Sequence, residues 1–136
     1  MARSRQDDRF RAAVHRRLEP GETIVATARV WTARRTRVPA LAARYRDDAV
    51  VTDRRLMVWE CAWWTRRPRR RVLADRLGDI TITNVTDRSR SSRSGPVTRV
   101  RVDRTGRPPL ILEIARNEHD QRFAAALVTA STRVPA

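Results

Sequence analysis

The stretch that most constrains the fold of this chain is the segment Ala49–Trp59, near the middle of the sequence. Two apolar runs, Ala49–Val51 and Leu56–Trp59, flank a polar step at Thr52–Arg54. Runs of β-branched and aromatic residues on either side of short polar turn residues are typical of two antiparallel strands joined by a tight turn. The segment therefore predicts a β-hairpin at the centre of the chain.

Between two helical segments, the hydrophobic period switches to two, as expected for β-strands. Alternation begins after Thr23 and returns in later short segments, which predicts seven antiparallel strands in all. Val85 is out of phase with the isoleucines before it, so a bulge is expected near Thr83 or Asn84. The polar segment 87–96 is expected to be a solvated loop. Short, regularly spaced strands predict a mainly β fold, a barrel or sandwich.

Each helical segment carries one apolar stripe. Phe10, Val14 and Leu18 recur at a spacing of four within residues 4–18, which indicates an amphipathic helix that docks on a core. Phe123 and Leu127 lie on one side of a final helix that Asn117 can cap. A stripe of this kind can plug one open end of a barrel.

These features together resemble the bacterial pleckstrin-homology-like family, which is related to the GRAM-type group. The likeness rests on Leu-Glu-Pro-Gly-Glu at 18–22, on Val51–Leu56 at the second turn, on Leu77–Ile80 and on the closing helix with Phe123. It implies a seven-stranded, half-open barrel capped by a C-terminal helix, with an additional N-terminal helix. We expect an N-terminal amphipathic helix at 1–17, the barrel domain at 18–131 and a tail at 132–136.

The resemblance also bears on function. It implies that Asp53, Arg54 and Arg55 are structural, with the aspartate accepting backbone N–H groups and the arginines bracing neighbouring chain. Members of such families are adaptors or membrane-surface modules, and the family implies no single ligand.

Composition favours a cytoplasmic protein without catalytic chemistry. The single cysteine, Cys61, cannot form an internal disulfide, and no apolar run approaches the length of a membrane span. His15 and His119 lie in separate helical segments without metal-ligand spacing. Because glycine-rich phosphate loops and nucleophile motifs are absent too, we expect no enzymatic activity, no cofactor and no metal site.

The strongest functional signal is positive charge beside tryptophan. The formal net charge is +15, and all 30 basic residues are arginine. In an up-and-down meander, the connections after strands one, three and five leave at the same end, which would also bring Arg88, Arg90 and Arg93 there. The candidate partner-binding site takes the first two connections and consists of Arg34, Arg35, Arg37, Trp63, Trp64, Arg66, Arg67, Arg69 and Arg70.

Three interpretations of this site are open. The arginines dock on an acidic protein or an anionic membrane surface, which would place the protein peripherally at the inner membrane face. Alternatively they bind nucleic acid, with bases on tryptophan. In the third interpretation Trp63 and Trp64 complete the core and the arginines are solvated. The apolar insert Val38–Ala43 suits a bilayer or an apolar pocket better than a nucleic-acid groove, unless it folds back over the barrel mouth.

Overall fold

The computed structural model describes residues 5–33, 45–61, 68–91 and 95–133. Its elements, in chain order, are α1 Arg5–His15, β1 Ile24–Ala33, β2 Tyr45–Thr52, β3 Arg55–Cys61, β4 Pro68–Arg76, β5 Ile80–Ser91, β6 Gly95–Arg104, β7 Arg107–Ala115 and α2 Glu118–Arg133. A short 3₁₀ turn, Leu77–Asp79, separates β4 from β5. The predicted fold class, seven strands between two helices, is confirmed.

The strands form one antiparallel sheet that bends into a half-open barrel. Neighbours follow the order β4-β3-β2-β1-β7-β6-β5, so β4 and β5 are the edge strands. β1 joins the two halves, pairing with β2 over most of its length and with β7 through residues 30–33. At the corner between the edge strands, Arg104 forms an ion pair with Asp75, and the N–H of Thr105 donates to the carbonyl of Asp79 at 3.0 Å.

Alternate strand residues point into the barrel and form its core. Those of β1, β2, β6 and β7 include Ala28, Val30, Ala49, Val51, Val100, Val102, Leu110, Leu112 and Ile114. Phe123 and Leu127 of α2 are both 0% exposed and belong to the same core. The apolar stripe of the last helix is therefore confirmed as a core-packing face.

The N-terminal helix packs on the outer face of the sheet instead. The outer cluster consists of Phe10, Val14, Val50, Met57 and Trp59. The guanidinium of Arg17, just after α1, lies 5.3 Å from the ring centroid of Trp59, within the range of a cation–π contact. Because β2 and β3 are covered on both faces, their sequence is continuously hydrophobic rather than alternating.

Local features of the turns agree with the sequence. Gly106 has φ +70° in the β6–β7 turn, a left-handed conformation that glycine adopts without steric cost. Asn117 caps α2, since its Oδ1 accepts the N–H of Asp120 at 2.8 Å. The register of β5 shifts between Ile82 and Asn84, which confirms the predicted bulge.

The polar loop predicted at 87–96 is much shorter than expected. β5 continues to Ser91 and β6 starts at Gly95. Arg90 pairs with Pro96 in this hairpin. Antiparallel pairing satisfies backbone groups whatever the side chains, so a strand can extend beyond its hydrophobic part.

Candidate functional site

The connections from β1 to β2 and from β3 to β4 leave the sheet at one end. Thr32 pairs with Tyr45 near the end of β1, and Cys61 pairs with Pro68 at the end of β3. The tight turn that joins β2 to β3 is at the opposite end. The edge from which the two connections leave, which is formed by Ala33, Tyr45, Cys61 and Pro68, is the basic end of the sheet.

The two segments at the basic end carry most of the excess positive charge. Residues 33–46 contain five arginines and residues 61–70 contain four, and neither segment contains Asp or Glu. These 24 residues therefore carry +9 of the net charge of +15. In the remainder of the chain, 21 arginines face 15 carboxylates.

The predicted site residues belong to these two segments. Arg34, Arg35, Arg37, Trp63, Trp64, Arg66 and Arg67 lie outside the described residues, as does the insert Val38–Ala43. Arg69 and Arg70 lie in β4, where the backbone of Arg70 pairs with that of Glu60. The site itself stays a prediction, while the strand ends fix where its two segments leave the sheet.

The third basic connection points away from the basic end, contrary to the expectation for a simple meander. β7 runs antiparallel to β1, with Val30 opposite Ile114, and Val97 of β6 pairs with Ala115. The hairpin ends of β5 and β6 therefore extend towards the side where β1 begins. A closed meander of seven strands would make β1 and β7 parallel, whereas the antiparallel pairing reverses the second half of the sheet. Strand direction thus separates the hairpin that contains Arg93 from the other two connections.

Inside the barrel, the basic end carries carboxylates. Alternation from Ala49 places Asp47 at an inward position of β2, and alternation from Val58 does the same for Glu60 on β3. The hydroxyl of Thr32 donates a 2.7 Å hydrogen bond to Oδ2 of Asp47. Sequence reasoning missed these residues, although the signal was present, since the alternation of the apolar residues extends to them.

On the outside of the same sheet, arginines lie around Trp59. Asp48 is opposite Trp59 and faces outwards, and its Oδ1 is 4.0 Å from Nε of Arg29. On the other side Trp59 is opposite Arg71, which is exposed. Arg17 and Arg71 thus extend the basic character of this end onto the outer face.

The opposite end of the sheet is held by a buried ion pair. The side chain of Glu22, 0% exposed, accepts bonds from Nε and Nη2 of Arg55 at 2.9 and 2.6 Å and from Oγ1 of Thr52 at 2.7 Å. The bonds from Arg55 lower the pKa of Glu22 from 4.5 to about 2, although burial acts in the other direction. This pair ties the loop before β1 to the β2–β3 turn.

The remaining turn residues are structural as well. Oδ1 of Asp53 accepts the N–H of Thr23 at 3.0 Å, and the N–H of Asp53 donates to the carbonyl of Thr23 at 3.1 Å. Arg54 lies 3.7 Å from Glu19, which also accepts two bonds from Arg76, at 2.8 and 2.6 Å. The structural interpretation of the Asp-Arg-Arg turn is confirmed. Its carboxylate partners in the loop before β1, Glu19 and Glu22, were not predicted.

The histidines and carboxylates of the described residues are not grouped for metal binding. Among them, no three His, Cys, Asp or Glu side chains are grouped to hold a metal ion. His15 and His119 are exposed. The buried carboxylate of Glu113 is paired with Arg99 at 2.6 Å. In this part of the chain, no helix is both long and apolar enough to cross a membrane.

Comparison with known proteins gives a result only at the level of structure. No protein-family model and no curated protein matches the sequence. The Slm1 PH domain in complex with phosphoserine aligns with a TM-score of 0.58 at 12% identity, covering 80% of this chain and 97% of that one. The fold is that of a PH domain. The Slm1 PH domain in complex with inositol-4-phosphate gives 0.53 at 11% identity, covering 79% and 96%.

Another structural match spans more of the chain. The hSac2 domain of the human phosphoinositide phosphatase Sac2 aligns with a TM-score of 0.53 at 14% identity, covering 99% of this chain and 87% of that one. At sequence identities of 11–14%, these structural alignments show the fold alone. The ligand has to be argued from this chain's own residues.

Proposed function

We propose that this chain is a non-enzymatic binding module that docks on an anionic membrane surface through its basic end. The observation that carries the proposal is the concentration of +9 in two segments that leave the sheet at the same edge. A charge placed at one end orients a molecule on a charged surface, whereas an evenly spread charge does not. The surface in contact would include the nine predicted residues of the two segments.

The expected energy suits reversible docking. An arginine close to an anionic bilayer contributes about 1 kcal/mol, so four or five engaged arginines give about 4–5 kcal/mol. Trp63 and Trp64 directly precede an arginine-rich run, and tryptophan is enriched at the headgroup level of membranes. Charge and aromatic residues therefore favour the same surface.

The PH-like fold supports this choice of partner. Slm1 PH domains have been solved with phosphoserine and with inositol-4-phosphate, and both ligands carry a phosphate ester. Arginine recognises phosphate through paired N–H donors. Phosphate-bearing lipid headgroups offer the same chemistry at high density on a membrane.

The proposal is tested by neutralising one segment of the basic end. We expect the fourfold variant Arg66→Gln, Arg67→Gln, Arg69→Gln, Arg70→Gln to lose about 4 kcal/mol of binding to anionic vesicles, or roughly a thousandfold in affinity. Binding is measured by co-sedimentation with phosphatidylcholine vesicles that contain phosphatidylserine. Circular dichroism checks that the variant keeps the fold of the unaltered protein.

A charge-matched variant separates the basic end from net charge alone. Arg9, Arg16, Arg116 and Arg122 are exposed and lie outside the two segments, so their change to Gln removes the same charge and should leave vesicle binding almost unaltered. Equal losses in both variants would contradict a localised site. Binding to DNA or to an acidic protein with no binding to vesicles would contradict the membrane proposal and favour one of those partners.

A further inference from the structure

The inner wall of the barrel changes character as it approaches the basic end. Deeper in the barrel the inward positions of three neighbouring strands are apolar and fully buried, namely Val30, Ala49 and Val58. One step nearer the basic end, the same three strands place Thr32, Asp47 and Glu60 at inward positions. A polar layer that contains two carboxylates therefore separates the apolar core from the basic segments.

The two most buried members of this layer are bonded to each other. Thr32 is 0% exposed and Asp47 is 1% exposed, and the threonine hydroxyl donates to Oδ2 of Asp47 at 2.7 Å. Leu112, opposite Thr32 in β7, is also fully buried. A hydroxyl has one proton to donate, so Thr32 cannot donate to a phosphate while it keeps this bond.

Asp47 and Glu60 oppose the entry of an anion between β1, β2 and β3. Like charges at short range destabilise each other, and a partly buried site screens them little. An arginine that pairs with either carboxylate uses some of its five N–H donors there, and its positive charge is balanced by that carboxylate, so it attracts a phosphate less strongly. In both cases, the interior of the basic end is a poor site for a phosphate.

We propose that Asp47 and Glu60 are specificity-determining residues that exclude phosphate groups from the barrel at its basic end and confine anion binding to the outer surface of that end. This inference rests on the proposed function and deepens it. Docking is then governed by the charge density of the membrane and not by the identity of a headgroup held in a pocket.

Neutralisation of the inner carboxylates tests the proposal. Asp47→Asn keeps the shape of the side chain and an oxygen that can accept the Thr32 hydroxyl. Glu60→Gln changes a partly exposed position and serves if the first variant does not fold. Asp48→Asn is the matched control, because Asp48 is equally buried and adjacent but faces outwards. Each full-length variant is titrated calorimetrically with soluble inositol 4-phosphate and sedimented with vesicles.

We expect the unaltered protein to bind vesicles containing equal fractions of phosphatidylserine or phosphatidylglycerol within about twofold of each other. Its Kd for soluble inositol 4-phosphate should be about 1 mM or higher. Asp47→Asn and Glu60→Gln should each strengthen binding of the soluble phosphate about tenfold or more, because one negative charge is removed from the inner wall. Asp48→Asn should behave as the unaltered protein does.

Two outcomes would overturn the proposal. One is saturable binding of inositol 4-phosphate to the unaltered protein with a Kd below about 0.1 mM. The other is no gain in Asp47→Asn and Glu60→Gln beyond that of Asp48→Asn. Failure of the unaltered protein to bind either kind of vesicle would contradict the proposed function instead, and the soluble-phosphate titrations would still decide whether the carboxylates exclude anions.

Discussion

At the scale of single residues, arginine has two different uses in this chain. Within the described residues, several arginines are held by nearby carboxylates, as in the pairs of Arg55 with Glu22 and of Arg99 with Glu113. Their N–H groups are directed at those partners and stabilise the fold. Segments 33–46 and 61–70 contain arginine but no Asp or Glu, although Asp47, Asp48 and Glu60 adjoin them, so most of their arginines are candidates for contact with an anionic surface.

The buried pair of Glu22 and Arg55 should dominate the stability of the sheet end away from the basic end. We expect Glu22→Gln to lower the free energy of unfolding by about 3 kcal/mol, because the guanidinium of Arg55, 12% exposed, loses its charged partner in a buried setting. Chemical denaturation measures the loss. Glu118→Gln is the control, since Glu118 is 84% exposed in its pair with Arg122 and its loss should change stability by less than about 0.5 kcal/mol.

The same carboxylate predicts an acid-sensitive contribution to stability. The pKa of Glu22 is lowered from 4.5 to about 2 in the folded protein, so the folded state holds the proton less tightly than the unfolded state. This contribution is complete above about pH 5 and is lost as the pH falls from 4.5 towards 2; a shift of this size corresponds to about 3 kcal/mol. The difference in unfolding free energy between wild type and Glu22→Gln should therefore be smaller at pH 3 than at pH 7. Denaturation curves of both proteins at the two pH values measure it. An equal difference at both pH values would contradict this assignment.

At the scale of elements, the two helices stabilise different cores. α2 contributes Phe123 and Leu127 to the barrel core, whereas α1 contributes Phe10 and Val14 to the outer cluster on β2 and β3. The two helices therefore have separable roles, one in holding the barrel and one in covering the outer face of its central hairpin.

Removal of one phenylalanine from each helix tests this division. Phe123→Ala should cost about 3–5 kcal/mol of unfolding free energy, because it leaves a cavity in the barrel core. Phe10→Ala should cost a similar amount and, unlike Phe123→Ala, should alter the fluorescence of the native protein, since Trp59 belongs to the same outer cluster. A loss below about 1 kcal/mol for Phe123→Ala would mean that the last helix does not support the core.

Sequence patterns were sufficient for features that depend on local spacing. The helix stripes and the cap at Asn117 both follow from residues close together in the chain. The continuous hydrophobic run at Ala49–Trp59 identified the central hairpin, but its cause, burial on both faces by the core and by α1, depends on a distant helix.

Pairing between strands that are distant in the chain determines at which end of the sheet each connection lies, and this could not be predicted from local sequence patterns. Nothing local to β7 shows that it runs antiparallel to β1, and this pairing is what turns the β5–β6 hairpin away from the basic end. The inward position of Asp47 follows only when the alternation of β2 is extended beyond its apolar residues. The basic segments were found from composition, and their shared edge became clear only from the register of β1 with β2 and β3 with β4.

At the scale of the whole molecule, positive charge is not spread evenly over the fold. Among the described residues, arginines pair with carboxylates at the end opposite the basic end, at the corner between β4 and β5, and between β6 and β7. The edge formed by residues 33–48 and 60–70 carries +6 in 27 residues, a higher density of positive charge than the +9 spread over the other 109 residues. The molecule is therefore polarised, and a charged surface would select one orientation of it.

This polarity predicts that salt weakens docking much more than it weakens the fold. The Debye length falls from about 10 Å at 0.1 M salt to about 3 Å at 1 M, so binding to vesicles containing phosphatidylserine should drop by about a hundredfold or more. The unfolding free energy should change by less than about 1 kcal/mol over the same range, because buried pairs are screened little and the side chain of Glu22 is 0% exposed. Co-sedimentation and denaturation in the same buffers separate the two effects. Vesicle binding that persists unaltered at 1 M salt would contradict docking by charge and would assign the contact to apolar groups such as Trp63 and Trp64.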